Sequence, residues 1–480
     1  VYVHGTTTPV PVFAAETGAT ELTQPLIVSA TGTIPGYVEP GQRLTVAVTL
    51  GGAEQTFPVE AQLGTETVAE KARAEAAETL LGGKPSLWNK YGLRRFRAFS
   101  GDAMFKTVPI VCVGDSITFG QGGNNNTGAP ENEPDAAEGW VGQLRKILGS
   151  SPQSAAQNPG EGFWFPDESR VTVTGGVSNN WACAALRHAE RLIKNTQTLS
   201  FTVPAGVTSV GVIQANMPKS FNEAGSKLAD VTGSYKLGAG SETALTALTN
   251  TGLPVAQFIS ATGGEVFTVF GPASAQTYIV GFVMRTASSG FLLHRMGQPG
   301  YVSGDLLGGQ NTGVLNQTEA TNQTYAVRAT YRWSEPGLII LSFGTNDQNF
   351  QSSGGTTAQR GVTLAKYTEW MKQYANQAVA DGWCVLILGE PRNPNEPTGA
   401  GISSSDEYWG AMKAFALESE HVAFMDVGEL WGNNAAATAL GLTESNTVHP
   451  NRKGHGDIAR MVYRAITGSA PVGIAERVPA

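Results

Sequence analysis

Three short apolar runs, each ending abruptly in polar or glycine-rich sequence, constrain this chain most. They are 109–113 (PIVCV), 338–343 (LIILSF) and 383–389 (WCVLILG). A strand with apolar residues at successive positions must be buried on both faces, which parallel sheets covered by helices allow and one-sided antiparallel sheets do not. Between the last two runs, residues 358–380 carry Leu364, Tyr367, Met371 and Tyr374 on a helical period. Buried strands alternating with helices predict an α/β domain with a parallel sheet. In such sheets chemistry gathers beyond the carboxyl ends of the strands. The residues just after each run are therefore the first candidates for a functional site.

The rest of the 480-residue chain divides around this pattern. Residues 1–60 hold strand-like pieces between Gly, Pro and Thr turns, and form a small N-terminal β segment. Residues 61–104 read as a helical linker. In it Val68, Ala72, Ala76 and Leu80 make a narrow stripe over 64–81, stopped by Gly82 and Gly83. The stripe packs on its own chain or forms a short self-association seam. The α/β domain begins at 105–164 and resumes at 291–480, with a polar, turn-rich loop at 122–135. Strand-length pieces such as SFTVPAGVTSVGVI and TYIVGFVMRT punctuate 165–290, so this stretch reads as an inserted β-sandwich.

Composition narrows the function. Charged residues make up only 15%, the net charge is −8, and no basic run exists, so a nucleic-acid partner is disfavoured. The densest basic cluster, Arg94, Arg95 and Arg97, reads as solvated surface. Cys112, Cys183 and Cys384 are too few and too scattered for a disulfide framework or a zinc site, and the first and last lie in apolar runs as buried thiols. No stretch approaches the ~18–20 apolar residues of a membrane helix. No secretory leader is visible at the N-terminus.

Four short patterns carry chemistry. Gly114-Asp115-Ser116 follows the first apolar run directly and leads into a helix-compatible segment. A serine there is exposed at the sheet rim, with its own N–H available to an oxyanion; the plainer alternative is a helix-capping Asp or Ser. Gly344-Thr345-Asn346-Asp347 follows the second run. Asn346 could donate an amide N–H to a substrate oxygen, while Asp347 reads as an Asx turn or N-cap. Val448-His449-Pro450-Asn451 precedes a C-terminal helix, and Pro450 holds His449 extended. An imidazole there could take the serine proton. His455 reads as a packing residue on the following helix. Gly297-Gln298-Pro299-Gly300 follows the strand-like GFLLHRM and could present a backbone N–H, or be an ordinary turn.

In order, these patterns resemble the four blocks of the SGNH/GDSL hydrolase family: GDSITFG, GQPG, GTND and VHPNRKGH. GGVSNN at 175–180 competes for the second block but lies inside the β-rich insertion. The resemblance covers about 105–122 and 290–470. It implies a flavodoxin-like three-layer fold and an acyl-serine mechanism with neither metal nor cofactor. It makes Ser116 the nucleophile and His449 the base, puts Ser116, Gly300 and Asn346 around the oxyanion, and leaves Asp115 and Asp347 in support. One position departs from the family. The Asp expected three residues before the histidine is Asn446 here. In a serine protease the comparable change costs about 10⁴ in turnover. Three accounts stay open: a dyad with His449 oriented by a backbone carbonyl or Glu444, a weakened triad, or an inactive site.

Residues 1–50 resemble segments of bacteriophage tail and fibre proteins, through VHGTTTPVPVFAAETGATELTQPLIVSATGTIPGYVEPG. That resemblance implies a virion component, assembling as a homotrimer with other tail proteins, and acting on O-acyl groups of a cell-envelope polysaccharide. On the same resemblance the insertion is similar to a carbohydrate-binding module. A lipase or lysophospholipase, and a tail protein that only binds glycan, are the alternatives.

Overall fold

The computed structural model describes residues 2–3, 43–50, 53–60, 87–103, 105–123, 138–150, 162–166, 170–175, 178–179, 191–194, 197–215, 233–247, 254–272, 276–286, 289–307, 327–328, 330–349, 362–394, 402–443 and 447–468. The chain divides into two compact units, Val1–Ala77 and Glu78–Ala480. In the first, Arg43–Leu50 and Ala53–Glu60 form an antiparallel hairpin in unbroken register from Arg43↔Glu60 to Leu50↔Ala53. Tyr2–Val3 adds a short strand beside Arg43–Leu50. The helix expected over 64–81 lies outside the described residues, as does Cys183.

The second unit is organised by a six-stranded sheet. Its strands are β1 (Leu87–Trp88), β2 (Thr107–Gly114), β3 (Gly290–Gly297), β4 (Leu338–Ser342), β5 (Cys384–Gly389) and β6 (Val422–Asp426), in spatial order β3-β2-β4-β5-β6-β1. All neighbours are parallel except β1, which pairs antiparallel with β6. The three apolar runs are thus its three central strands. Alternate residues of each run face opposite layers, as a pleated strand requires. Val111, Val113, Ile339, Leu341, Val385 and Ile387 face one core. Ile110, Cys112, Leu338, Ile340, Leu386 and Leu388 face the other.

Helices cover both faces. On one side lie α5 (Leu364–Ala380) and α6 (Ser405–Glu418), whose Tyr367, Met371, Tyr408 and Met412 fill the first core. On the other lie α1 (Arg94–Asp102), α3 (Trp140–Ser150), the short α7 (Val427–Trp431) and α8 (Asn434–Ala439), and α9 (Arg452–Thr467). Ile458, Val462 and Ile466 recur every four residues along α9 and are fully buried, each contributing roughly 1.5–3 kcal/mol. Arg94 pairs with Glu420 and Arg97 donates to the Ala465 carbonyl, so this cluster fastens α1 to its neighbours rather than merely facing solvent.

Between β2 and β3 the chain builds two antiparallel sheets. Strands 172–174, 198–202, 234–237, 243–244 and 266–270 form one; strands 162–164, 178–179, 191–194, 209–215, 255–260 and 276–285 form the other. They share a core that includes Leu199, Phe201, Val210, Val212, Phe267, Phe282 and Met284. The first of these strands starts at 162, three residues before the boundary read from the sequence. The opposite face of the second sheet, through Ile213, Val280 and Val283, packs into one core of the six-stranded sheet with Val111, Leu292 and Trp333. Among the described residues no helix is long and apolar enough to cross a membrane.

Candidate active site

At the carboxyl end of β2 the chain turns into α2 (Ser116–Phe119). Asp115 caps this short helix, its Oδ1 accepting from the Ile117 N–H at 2.8 Å. Ser116 is the first helical residue, so its N–H has no acceptor within the helix. Its side chain lies almost buried at the rim. The capping role considered from the sequence therefore exists, but Asp115 performs it and leaves the Ser116 hydroxyl to other work.

His449 reaches that hydroxyl from the far end of the chain. Its Nε2 lies 2.8 Å from Ser116 Oγ, across 333 residues of sequence. The loop that carries it is fixed from several sides. Thr443 and Pro450 make an isolated antiparallel bridge, the His449 N–H donates to Thr447 Oγ1, and Asn434 Nδ2 donates to the Thr447 carbonyl. Asn451 then caps α9, accepting from the Lys453 and Gly454 N–H groups, a contribution of about 1 kcal/mol. Burial lowers the pKa of His449 from 6.5, and among the described residues no carboxylate opposes that. Asn446 and Glu444, the two side chains weighed as partners of this imidazole, lie outside the described residues.

The loop after α2 buttresses the imidazole. Gly122, with φ +91°, runs so close that a Cβ there would sit 2.4 Å from the Pro450 oxygen and 3.2 Å from His449 Cβ. His455 ties the same loop to α9: its Nδ1 accepts from the Trp140 N–H at 3.2 Å, and its Nε2 donates to the Gln121 carbonyl at 3.0 Å. The expected packing residue is indeed fully buried, and it is also a hydrogen-bonded post behind the site. Burial pushes its pKa down to about 4, which keeps it neutral.

Asn346 arrives on α4 (Thr345–Asn349), just beyond β4. Its Nδ2 donates to Asp115 Oδ2 at 3.1 Å and to the Tyr301 carbonyl at 2.9 Å. The second bond joins it to the residue after Gly300. Around Gly300 the space is open, with nothing within 4 Å of where a Cβ would sit. The structure thus brings Ser116, Asp115, His449, Asn346 and the Gly300 turn to one rim. Asp347 is neither an Asx turn nor an N-cap. It lies inside α4, fully buried, and both its oxygens take the Ser303 N–H, while Oδ1 also accepts from Ser303 Oγ at 2.5 Å. It anchors the stretch that follows Gly300. Burial pushes its pKa up to about 7, with the Ser303 bonds pulling the other way.

Glu390 belongs to this site and was missed in the sequence. It stands directly after β5, fully buried, where its oxygens accept from Ser342 Oγ and the Thr345 N–H, both at 2.9 Å. Its carboxyl also meets that of Asp115, and burial together with this pairing raises the pKa of Asp115 well above the ordinary carboxylate range. The available signal was an acidic residue in the same position, after a buried strand, as Asp115-Ser116 and the Thr345-Asn346 turn. Among the described residues no group of His, Cys, Asp and Glu side chains is arranged to hold a metal ion.

Residues 289–456 match the model of a family described as GDSL-like lipase/acylhydrolase. The matched stretch contains Gly300, Asn346 and His449. Ser116 precedes it, separated by the two antiparallel sheets. Among solved structures the chain is similar to a peptidoglycan O-acetylesterase, with 14% identity and a TM-score of 0.49 over 80% of this chain and 99% of that one. It is also similar to a catalytic mutant of an acetylxylan esterase from Geobacillus stearothermophilus, with 17% identity and a TM-score of 0.27 over 37% of this chain and 73% of that one. An α/β hydrolase from the metagenome of Lake Arreo, Spain, is 19% identical, with a TM-score of 0.27 over the same shares of the two chains. No curated protein matches in sequence.

Proposed function

We propose that this carboxylic ester hydrolase removes O-acyl groups, most simply O-acetyl, from a bacterial cell-envelope polysaccharide, as part of a phage tail. The observation that carries the catalytic part is the 2.8 Å contact between Ser116 Oγ and His449 Nε2 beside the Asn346 amide. Proton transfer requires that reach. Ser116 Oγ attacks the ester carbonyl carbon as His449 Nε2 takes its proton. The carbonyl π electrons move onto oxygen, and the resulting oxyanion is met by the Ser116 N–H, the Gly300 N–H and the Asn346 carboxamide. When the tetrahedral centre collapses, the sugar oxygen leaves with the proton from His449. Water then attacks the acyl-serine, again through His449, and frees the acid and Ser116.

The lowered pKa of His449 suits this role, since only the neutral imidazole accepts a proton. The polysaccharide and the virion setting are supported by the tail-like pattern of residues 1–50 and by the β-rich insertion, read as a carbohydrate-binding sandwich. Assembly as a homotrimer with other tail proteins belongs to the same reading.

Hydrolysis of p-nitrophenyl acetate and of long-chain esters, with Ser116→Ala beside the wild type, tests the enzyme. Acetate release from O-acetylated and chemically de-acetylated envelope polysaccharide tests the substrate. Equal rates for wild type and Ser116→Ala would leave glycan binding without catalysis as the better account, and a preference for long chains would favour a lipase.

A further inference from the structure

Three carboxyl groups lie beneath the nucleophile, and the mechanism above uses none of them. Asp115, Asp347 and Glu390 are each at most 1% exposed. Asp347 is accounted for by Ser303. The other two converge on Asn346. An amide nitrogen has two hydrogens, and those of Asn346 go to Asp115 Oδ2 and to the Tyr301 carbonyl. Both neighbours are acceptors, so the side chain is held nitrogen-first. To meet an oxyanion it must share or release one of these bonds, and how firmly Asp115 grips it decides how readily that happens.

We propose that Glu390 is a positioning residue for ester hydrolysis, holding Asn346 from two sides: one oxygen takes the N–H of Thr345, the preceding residue, and its carboxyl meets that of Asp115, which grips the Asn346 amide. This rests on the esterase reading and deepens it. Glu390 is suited to the task because it directly follows β5, while Ser342 closes β4, Thr345 lies just beyond it and Asp115 directly follows β2, so one carboxyl joins three adjacent strand ends. Two carboxylates pressed together in a buried site cannot both ionise, and the pair holds one proton. That proton makes Asp115 a weaker acceptor than a free carboxylate, which leaves Asn346 able to turn to the oxyanion. The titratable groups facing the pair are Asp347 and Tyr367; Asp305 and Tyr408 in turn face Asp347.

The test is a double-mutant cycle on p-nitrophenyl acetate hydrolysis. Glu390→Ala is expected to lower kcat about 10- to 100-fold, less than or equal to the cost of losing an oxyanion donor outright, with KM changed by less than about threefold. In an Asn346→Ala background the same change is expected to cost less than about threefold, because the group it positions is gone. Glu390→Gln, which still accepts the Thr345 N–H, is expected to recover about tenfold of the loss. It is also expected to move the alkaline limb of kcat to lower pH, since without a second carboxylate to repel it Asp115 gives up its proton more readily. Losses that multiply in both backgrounds, a wild-type kcat in folded Glu390→Ala, or coincident pH profiles for Glu390→Gln and wild type would each overturn the role of Glu390 alone. The Gln variant decides the matter even where the Ala variant does not fold. Equal hydrolysis by wild type and Ser116→Ala would instead overturn the esterase reading, and this proposal with it.

Discussion

Gly122→Ala probes how finely His449 is placed. The added Cβ would lie 2.4 Å from the Pro450 carbonyl oxygen, and real Cβ contacts do not fall below 3.0 Å, so the two loops must separate by at least 0.6 Å. His449 precedes Pro450 and itself sits 3.2 Å from the new carbon, so the imidazole moves with the loop. A shift of that size away from Ser116 takes their 2.8 Å contact to about 3.4 Å, beyond the roughly 2.6–3.2 Å over which a general base works. A misplacement of about 1 Å can cost about 10²-fold, so kcat on p-nitrophenyl acetate should fall about 10- to 100-fold. The backbone contributes separately: an alanine at φ +91° is strained by about 1–2 kcal/mol. Gly206→Ala supplies the control. It has φ +82° and nothing within 4 Å of its would-be Cβ, and it lies in the β-rich insertion. It should lower the melting temperature and leave kcat alone. If Gly122→Ala keeps wild-type kcat while losing no more stability than Gly206→Ala, the loop does not position the imidazole and the reasoning fails.

Four further outcomes follow from the site. Asn346→Ala should lower kcat by about 10²–10³ with little change in KM, read by steady-state kinetics on the same ester. The acid limb of kcat/KM should have its midpoint below pH 6.5, because burial favours the neutral form of His449; a midpoint above 6.5 would reveal a carboxylate partner. Asn446→Asp should move that limb upward and raise kcat, since an added anion stabilises the imidazolium; an unchanged profile would mean residue 446 does not face the ring. His455 has a folded pKa of about 4 against 6.5 unfolded. The unfolded chain therefore binds the proton first, and stability falls as pH drops from 6.5 towards 4, by about 3 kcal/mol from this residue. Urea unfolding at pH 7 and pH 4.5 should show that part of the slope disappearing in His455→Gln.

The parts legible in the sequence were those whose signal is local. A buried parallel strand advertises itself as an unbroken apolar run, and the three runs became the central strands β2, β4 and β5. The turns after two of them, and the histidine before a capped helix, were legible because a nucleophile or an amide at a strand end has few other uses. β1 was not legible, since two residues carry no period. Asp347 was misread because an acid after Thr-Asn looks like a turn former, whereas its partner Ser303 lies 44 residues away. Glu390 failed for the same reason: its bonds to Ser342 and Thr345 span 48 and 45 residues. Only folding brings the strand ends together.

The two halves of the site are mounted differently, and this decides how each should fail. Ser116, Asn346, Asp115 and Glu390 all stand on the ends of neighbouring strands, joined by buried hydrogen bonds. A change among them alters polar pairing in a dry environment, where an unmatched group costs about 1–3 kcal/mol, so activity and stability should fall together. His449 instead rides a loop held by the Thr443–Pro450 bridge, the two hydrogen bonds to Thr447, a helix cap and the close passage of Gly122. Its placement depends on steric contact with a neighbouring loop, so a small shift there can remove proton transfer while the sheet and its two cores stay intact. The β-rich insertion between β2 and β3 fits this arrangement. Both strands already pair in full register at their shared edge, so a long excursion between them adds only slowly growing loop-closure entropy and leaves the rim where Ser116 sits undisturbed.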